Sequence, residues 1–415
     1  MTPSAQPSPG LVSRGRWTMP LLSVLLVAAI WAACFRFPVV WAATGIGEAD
    51  KPFLDLQSLL AAGEYARAGH DPYLHNPGDP YNRPLVYTEW WLVSGRLGLT
   101  LADTRWLGTL LIGMTLLSAV LLTRPASVRE AGSLVLCLAS PALLMAAARA
   151  NNDLVVFVIM CGALGCLRAG RPPWRALGIV LLAIAAVLKY FPLAAVLLLL
   201  EARTRRELLG WIVLYGLVLL LAWPALEPGL RAAARSQPAP DWLYAFGAPV
   251  LFRDFHLTVP AALIAGAFLL AVGASRLAVK PAPASRPLAS SDEEREFVCG
   301  AVMVVGCFVH GSSYVYKLVF ALWLLPWLWR APPADRLRRI ISLLLLAVLW
   351  LEGTMAVVIN LSVTFSAWTS VTGQRVLEAT LVVSQLLGWI LAVILGRSLL
   401  LYLQRQLQRL GFLPS

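Results

Sequence analysis

Apolar runs recur from about residue 17 to the end of the chain, and the polar segments that interrupt them are of two kinds. One kind is rich in arginine and lies at 124–130, 168–175, 203–206, 330–339 and 397–409. The other lacks that excess: ARANND at 148–153, LKYFP at 188–192, a loop over 227–257, HGSSYVYK at 310–317 and NLSVTFSAWTSVTGQR at 360–375. A run of about 20 apolar residues crosses a hydrocarbon core as a helix, and Lys and Arg collect in cytoplasmic loops. The alternation predicts an all-α, polytopic membrane helical bundle of about twelve spans with both ends cytoplasmic, forming a single integral membrane domain in the plasma membrane. Residues 1–16 and 402–415 then form cytoplasmic tails and 278–296 a cytoplasmic loop, while 44–104 and 227–257 are the first and second outward loops.

Several predicted spans hold only about 12 to 17 apolar residues, short of a full crossing. Helices that stop early on the outer side leave Asn151, Asp153 and Lys189 below the membrane surface, where backbone off a helix is tolerated only beside a wet or protein-walled cavity. An outward-facing cavity is the expectation. The four histidines, His70, His75, His256 and His310, fall on the same side.

The first outward loop has structure of its own. LDLQSLLAAGEYARAG at 54–69 spaces Leu56, Leu59, Leu60, Ala62 and Tyr65 at near-helical intervals, as in an amphipathic helix lying along the interface. RPLVYTEWWLVSGRLG at 83–98 carries Tyr87, Trp90 and Trp91, residues that favour the headgroup level. Between them Pro72, Pro77, Pro80 and Pro84, with Gly69 and Gly78, disfavour any helix.

Composition fixes the solvent. Apolar residues make up 59% of the 415 and charged residues 13%, and the mean hydropathy is +0.73, whereas soluble domains are roughly a quarter charged. The net charge of +12 is read as topology, and no nucleic-acid partner is expected. The six cysteines all sit in apolar runs without a CxxC pair and read as small hydrophobes. Residues 17–43 are too long and too aromatic for a cleaved signal and read as a retained first helix.

Four short stretches carry a resemblance. They are D-L-x-x-x…A-G-x-D-P-Y across 55–73, RANNDLVVF at 149–157, AAVLKYFPL at 185–193 and HGSSYVYKLVFALWLLP at 310–326. In order and side of the membrane they resemble the C-type membrane glycosyltransferases, and within them glycosyltransferase family 87, whose members are polyprenyl-phosphate-mannose-dependent mannosyltransferases and bacterial relatives. The family's tyrosine-proline-proline element is represented by YNRPLVY at 81–87, with Arg83 where a proline is expected, which leaves mannose, another hexose or a pentose open as the donor sugar. The resemblance implies a polyprenyl-phosphate-sugar donor, a lipid or glycan acceptor, an active site on the non-cytoplasmic face among membrane lipids, and no cofactor.

The resemblance assigns the base to Asp55, where burial near the interface would raise a carboxyl toward the working range; an aspartate at a helix start is also a favoured N-cap. Asp50 and Glu48 are fallback bases, and Asp71 reads as the start of an Asp-Pro turn. Lys189 ends an unbroken apolar run, a position that is costly for an ammonium without an anion, so it is assigned to the donor phosphate or else snorkels to the interface. Arg83, Arg149, Arg253, His256, His310 and Lys317 are further candidate phosphate ligands, with His310 and Lys317, at a matched turn, ranked above Arg253; Tyr73 and Tyr314 lie in matched stretches as well. Asn151, Asn152 and Asp153 are placed to bind sugar hydroxyls or to cap the following helix. No metal site is predicted, since His70, Asp71 and His75 match no ligand spacing. Glu352 and Glu378, in or near apolar runs, have no role in transfer and keep a rival open, a secondary transporter or lipid flippase.

Overall fold

The computed structural model describes residues 17–37, 39–41, 46, 51–236, 244–250, 259–278, 291–310, 313–330, 335–364 and 370–414. It is a helical membrane bundle. Helix α1 (Thr18–Arg36) keeps a narrow buried face through Val27 and Trp31 and leaves Leu21, Leu22, Leu25 and Leu26 outward, the pattern of a helix at a lipid boundary. It ends where Phe37, before a proline, turns extended. The Trp31 indole donates to the Leu138 carbonyl at 3.0 Å, so no polar atom is stranded there.

The first loop folds as its pattern predicts. Helix α2 (Leu54–Arg67) buries Leu59, Leu60, Ala61 and Ala62. A 3-10 stretch (Glu89–Leu92) and one helical turn (Val93–Arg96) return against it, with Gly63 and Gly95 so close that a Cβ on either would strike the other's backbone. The connection over 69–84 is non-helical.

Helix α3 (Thr104–Thr123) is long and apolar enough to cross a membrane, and is followed by α4 (Val128–Leu138) and α5 (Pro141–Arg149), which meet at 57° and together have the length of one broken span. Helices α6 (Asn152–Arg168) and α7 (Pro172–Leu188) pack as a pair. A 3-10 stretch (Phe191–Glu201) leads to α8 (Arg205–Ser236). Helix α9 (Val259–Ala278), α10 (Ser291–His310), a second long 3-10 stretch (Val315–Leu324) running into Leu325–Trp329, α11 (Arg336–Thr364) and α12 (Ser370–Arg409) complete the bundle. Two-residue strands β1 (Ala245–Phe246) and β2 (Ser313–Tyr314) pair antiparallel.

Among the described residues five helices are long and apolar enough to cross a membrane, or six with the bent α4–α5 pair. The remaining apolar segments, Pro172–Leu188, Phe191–Glu201, Ala265–Arg276 and Val315–Trp329, are shorter, so among the described residues full-length helices account for only part of the predicted count of about twelve spans. Helical structure also reaches beyond the predicted loop edges. Helix α8 continues through Pro224 and Pro228 to Ser236, and Gly229 lets it pass directly against the Tyr87 carbonyl and the Tyr190 hydroxyl. Helix α10 begins at Ser291, and α12 ends at Arg409.

Candidate functional site

One hydrogen bond sets the site. Phe53, in a left-handed conformation (φ 61°) at the N-cap of α2, donates its N–H to the Ala148 carbonyl at 2.7 Å and pins the first turn of α2 to the last turn of α5. Gly108 leaves the space its ring fills. Asp55 therefore stands inside the first turn and is not the N-cap, which corrects the capping alternative. Its carboxylate faces Arg149, the last residue of α5.

The contact is bidentate. Arg149 Nε donates to Asp55 Oδ2 and Nη2 to Oδ1, each at 2.9 Å. After Arg149 the chain reverses through Ala150 (φ 41°), and Asn151 caps α6 by accepting from the Asp153 N–H at 2.8 Å. The Asn151 amide then links two ions: its Nδ2 donates to Asp55 Oδ2 at 2.6 Å, and its Oδ1 accepts from Lys189 Nζ at 3.4 Å. Lys189, extended beyond the end of α7, is paired with Asp153, and both side chains are buried. The Trp91 indole donates to the Leu188 carbonyl at 3.0 Å, so the loop aromatic fastens this helix end. Asp55, Arg149, Asn151, Asp153 and Lys189, from three separate parts of the sequence, thus form one network. The lysine's predicted need for an anion is met within the protein.

Arg83 joins from the loop. Its Nη2 lies 4.0 Å from Asp55 Oδ1 and 2.9 Å from Asp79 Oδ2. The buried Asp79 also accepts from the N–H groups of Tyr81 and Arg83 and so shapes the turn that presents Arg83. Asp71 accepts from the Tyr73 N–H at 2.8 Å, the side chain-to-backbone turn expected of it. Tyr314 lies 5.4 Å from the Arg149 guanidinium.

The electrostatics overturn one expectation. Burial pushes the Asp55 carboxyl up, but Arg149, its hydrogen bonds, Asn151 and Arg83 outweigh burial and hold it below the ordinary carboxylate range. Asp79 is likewise held low, its burial outweighed by the Arg83 hydrogen bonds. In this state Asp55 is a paired anion, not a carboxyl lifted toward neutrality.

The other candidates fall at varied distances from this centre. Lys317 is buried over the Phe191 ring at 4.8 Å, with no carboxylate partner among the described residues. Both side-chain polar atoms of Asn152, the second oxygen of Asp153 and the Tyr73 hydroxyl are buried without hydrogen-bond partners; such atoms are uncommon in native proteins and mark places where a ligand or water belongs. His310 ends α10 at the surface and has no hydrogen bond or ion pair to the network. His70 and His75 pack on the Tyr65 ring. His256, Arg253, Asp50 and Glu48 lie outside the described residues. Glu352 is buried in α11, accepts from the Tyr244 N–H at 2.6 Å, and leaves Oε1 without a partner. Glu378 is exposed and accepts from Gln374 at 3.1 Å.

Beside the network lies a cavity of about 1260 Å³. One face of α1 (Ala28, Trp31, Ala32, Phe35) and one face of α3 (Thr109, Ile112, Gly113, Leu116) form its apolar walls. Arg36 at the end of α1 and Arg105 at the start of α3 stand at one end, together with Lys51, Arg83 and Arg149, and no described lining residue is acidic. From Arg105 to Leu116 the α3 wall runs about 16 Å at ~1.5 Å per residue, so the cations gather at one end of the cavity and apolar side chains line its length. Sequence reasoning missed Arg36, Lys51 and Arg105 here, and Asp79 and Tyr316 near the network. A signal existed for two of them. Arg36 and Arg105 are arginines at the ends of spans assigned to the outer side, against the positive-inside trend. The chain matches no protein-family model and no curated protein sequence.

Proposed function

We propose that the protein is a membrane glycosyltransferase that moves a sugar, mannose or a related hexose or pentose, from a polyprenyl-phosphate donor to a hydroxyl of a lipid or glycan acceptor on the outer face of the plasma membrane. The observation that carries this reading is the cavity: five cations and no described acid at one end, with an apolar groove between α1 and α3 leading from them. An anionic head on a long hydrocarbon chain fits that profile, because guanidinium and ammonium groups bind phosphate while the walls remove the chain from polar surroundings. Twelve apolar segments bring the chain back and forth on this reading, counting α4–α5 as one and both long 3-10 stretches as crossings, with the network on the outer side.

The reaction balances without a cofactor. An acceptor oxygen attacks the anomeric carbon and gives its proton to Asp55; the bond from that carbon to the phosphate oxygen breaks, and its electron pair leaves on polyprenyl phosphate. Arg83 and Arg149 stabilise the departing charge. Asn152 and the free oxygen of Asp153 offer unused polar atoms to sugar hydroxyls.

The rival reading, a transporter or lipid flippase, draws on Glu352, a buried carboxyl with an unpartnered oxygen on the apolar helix α11. Reconstitution separates the two. Protein in nanodiscs, given polyprenyl-phosphate sugars and envelope lipid and glycan extracts, should glycosylate an acceptor; Asp55→Ala, measured on its folded fraction because Arg149 loses its carboxylate partner, should slow transfer by about 10²- to 10⁴-fold, the range for a lost general base. Gly113→Leu should weaken donor use with stability unchanged, since a Cβ there meets only open space. Undiminished transfer by Asp55→Ala, or lipid translocation without transfer by the wild type, overturns the proposal.

A further inference from the structure

We infer that the Asp55–Arg149 ion pair is a resting lock that the lipid phosphate opens, with Arg149 passing from the carboxylate to the phosphate and leaving Asp55 free to accept a proton. This rests on the cavity's reading as a lipid-phosphate site, and it adds how binding is coupled to the readiness of the base.

As it stands, the carboxylate is poorly placed to take a proton. Oδ2 accepts from Arg149 Nε and Asn151 Nδ2, Oδ1 accepts from Arg149 Nη2, and Arg83 stands 4.0 Å away. Such pairing is what holds its carboxyl low, and a base so held has little affinity for the acceptor's proton.

Arg149 is the partner built to move. It lines the cavity, its Nη1 takes no part in the Asp55 contact, and its side chain, like that of Asp55, keeps about a seventh of its surface exposed (14% and 15%). Tyr314, also on the cavity wall, gives the guanidinium a ring to turn against. Lys189 is the opposite case: its side chain and that of Asp153 are 7% and 0% exposed, and neither lines the cavity. Arg83 is anchored by a carboxylate other than Asp55. An anion entering the cationic end of the cavity therefore competes with Asp55 for one mobile guanidinium. The exchange trades one anion for another, so Arg149 is never left buried and alone, the state that costs most.

Competition of this kind is a coupling between two sites and is reciprocal. Removing the carboxylate's charge should strengthen phosphate binding, the reverse of what a merely structural Asp55 would do. The test uses the full-length protein in phosphatidylcholine nanodiscs with decaprenyl phosphate as probe and quenching of tryptophan fluorescence as readout, Trp31 and Trp41 being on the cavity wall. Asp55→Asn should bind decaprenyl phosphate about tenfold more tightly than wild type, within the usual span of couplings, and should bind decaprenol, which lacks the phosphate, equally well. Asp55→Ser serves the same purpose if the amide fails to fold. Adding Arg149→Ala to Asp55→Asn should remove the gain.

Wild-type binding with equal or weaker binding by both folded Asp55 variants overturns the lock and leaves the cavity's assignment standing. Failure of folded wild type to bind decaprenyl phosphate overturns both.

Discussion

Where α6 ends, Arg168 meets Glu296, Arg295 meets Glu201 and Asp292, Arg175 meets Glu207, Arg330 meets Glu293 and Arg405 meets Glu294. That is five arginines against six carboxylates. Arg205 and Arg409 there donate to backbone carbonyls at Leu410, Leu200 and Ala202, and Tyr402 donates to Glu201, so the last helix is tied to the rest of the bundle. Where α6 begins, Asp55, Asp79 and Asp153 stand among Arg83, Arg149, Lys189 and Lys317, with Arg36, Lys51 and Arg105 on the cavity wall. At one end ion pairs tie helices together, and at the other five cations line an open cavity whose described lining holds no acid. Pairing alone does not mark a functional site; cations gathered on a cavity wall near unpartnered buried atoms do.

The comparison can be pressed at its most buried point. Asp153→Ala leaves Lys189 with only Asn151 as a polar partner, and loss of one member of a buried pair costs about 3 to 5 kcal/mol; the expected outcome is a sharp fall in folded yield and melting temperature, partly recovered by adding Lys189→Met. If the single variant melts like wild type, the pair is not structural.

Acid separates the loop carboxylates from the rest. Asp55 and Asp79 are both held below their ordinary values, so their stabilisation is complete above the unfolded carboxylate value of about 3.9 and is lost as pH falls through the lowered native values. The gap in melting temperature between wild type and Asp79→Asn should be widest near neutrality and shrink toward pH 3.

The smallest effect belongs to the far end. Arg405 keeps 48% of its side chain exposed, and an exposed pair contributes less than about 1 kcal/mol, so Arg405→Ala should shift the melting temperature only slightly and leave transfer unchanged.

Much of the site was legible in the sequence because polar residues are conspicuous in apolar runs. Asn151 and Lys189 drew notice as an amide and an ammonium where hydrocarbon surroundings penalise them, Asp55 through the resemblance carried by 55–73, and loop charge assigned all three to one side. Their pairing was not legible, since it depends on the Phe53–Ala148 hydrogen bond and the left-handed turn at Ala150, which no hydrophobic period encodes. That pairing reversed the expected direction for Asp55. Periodicity does not distinguish a short α-helix from a 3-10 stretch, so the sequence left open which of the short predicted spans are wound as 3-10, and α8 runs past the predicted loop edge at 227 to Ser236.

The two long 3-10 stretches have a consequence for reach. At ~2.0 Å per residue against ~1.5 Å for an α-helix, ten or eleven residues extend about 5 Å further than the same residues wound as α. Phe191–Glu201 and Val315–Leu324 thereby carry the chain away from Lys189 and Lys317 toward the opposite end with about three fewer residues than an α-helix would need. The separation between the Asp55–Lys189 network and the clasped base of the molecule is in this way a matter of pitch, and an inserted residue in either stretch can be absorbed by rewinding a turn instead of displacing a lysine.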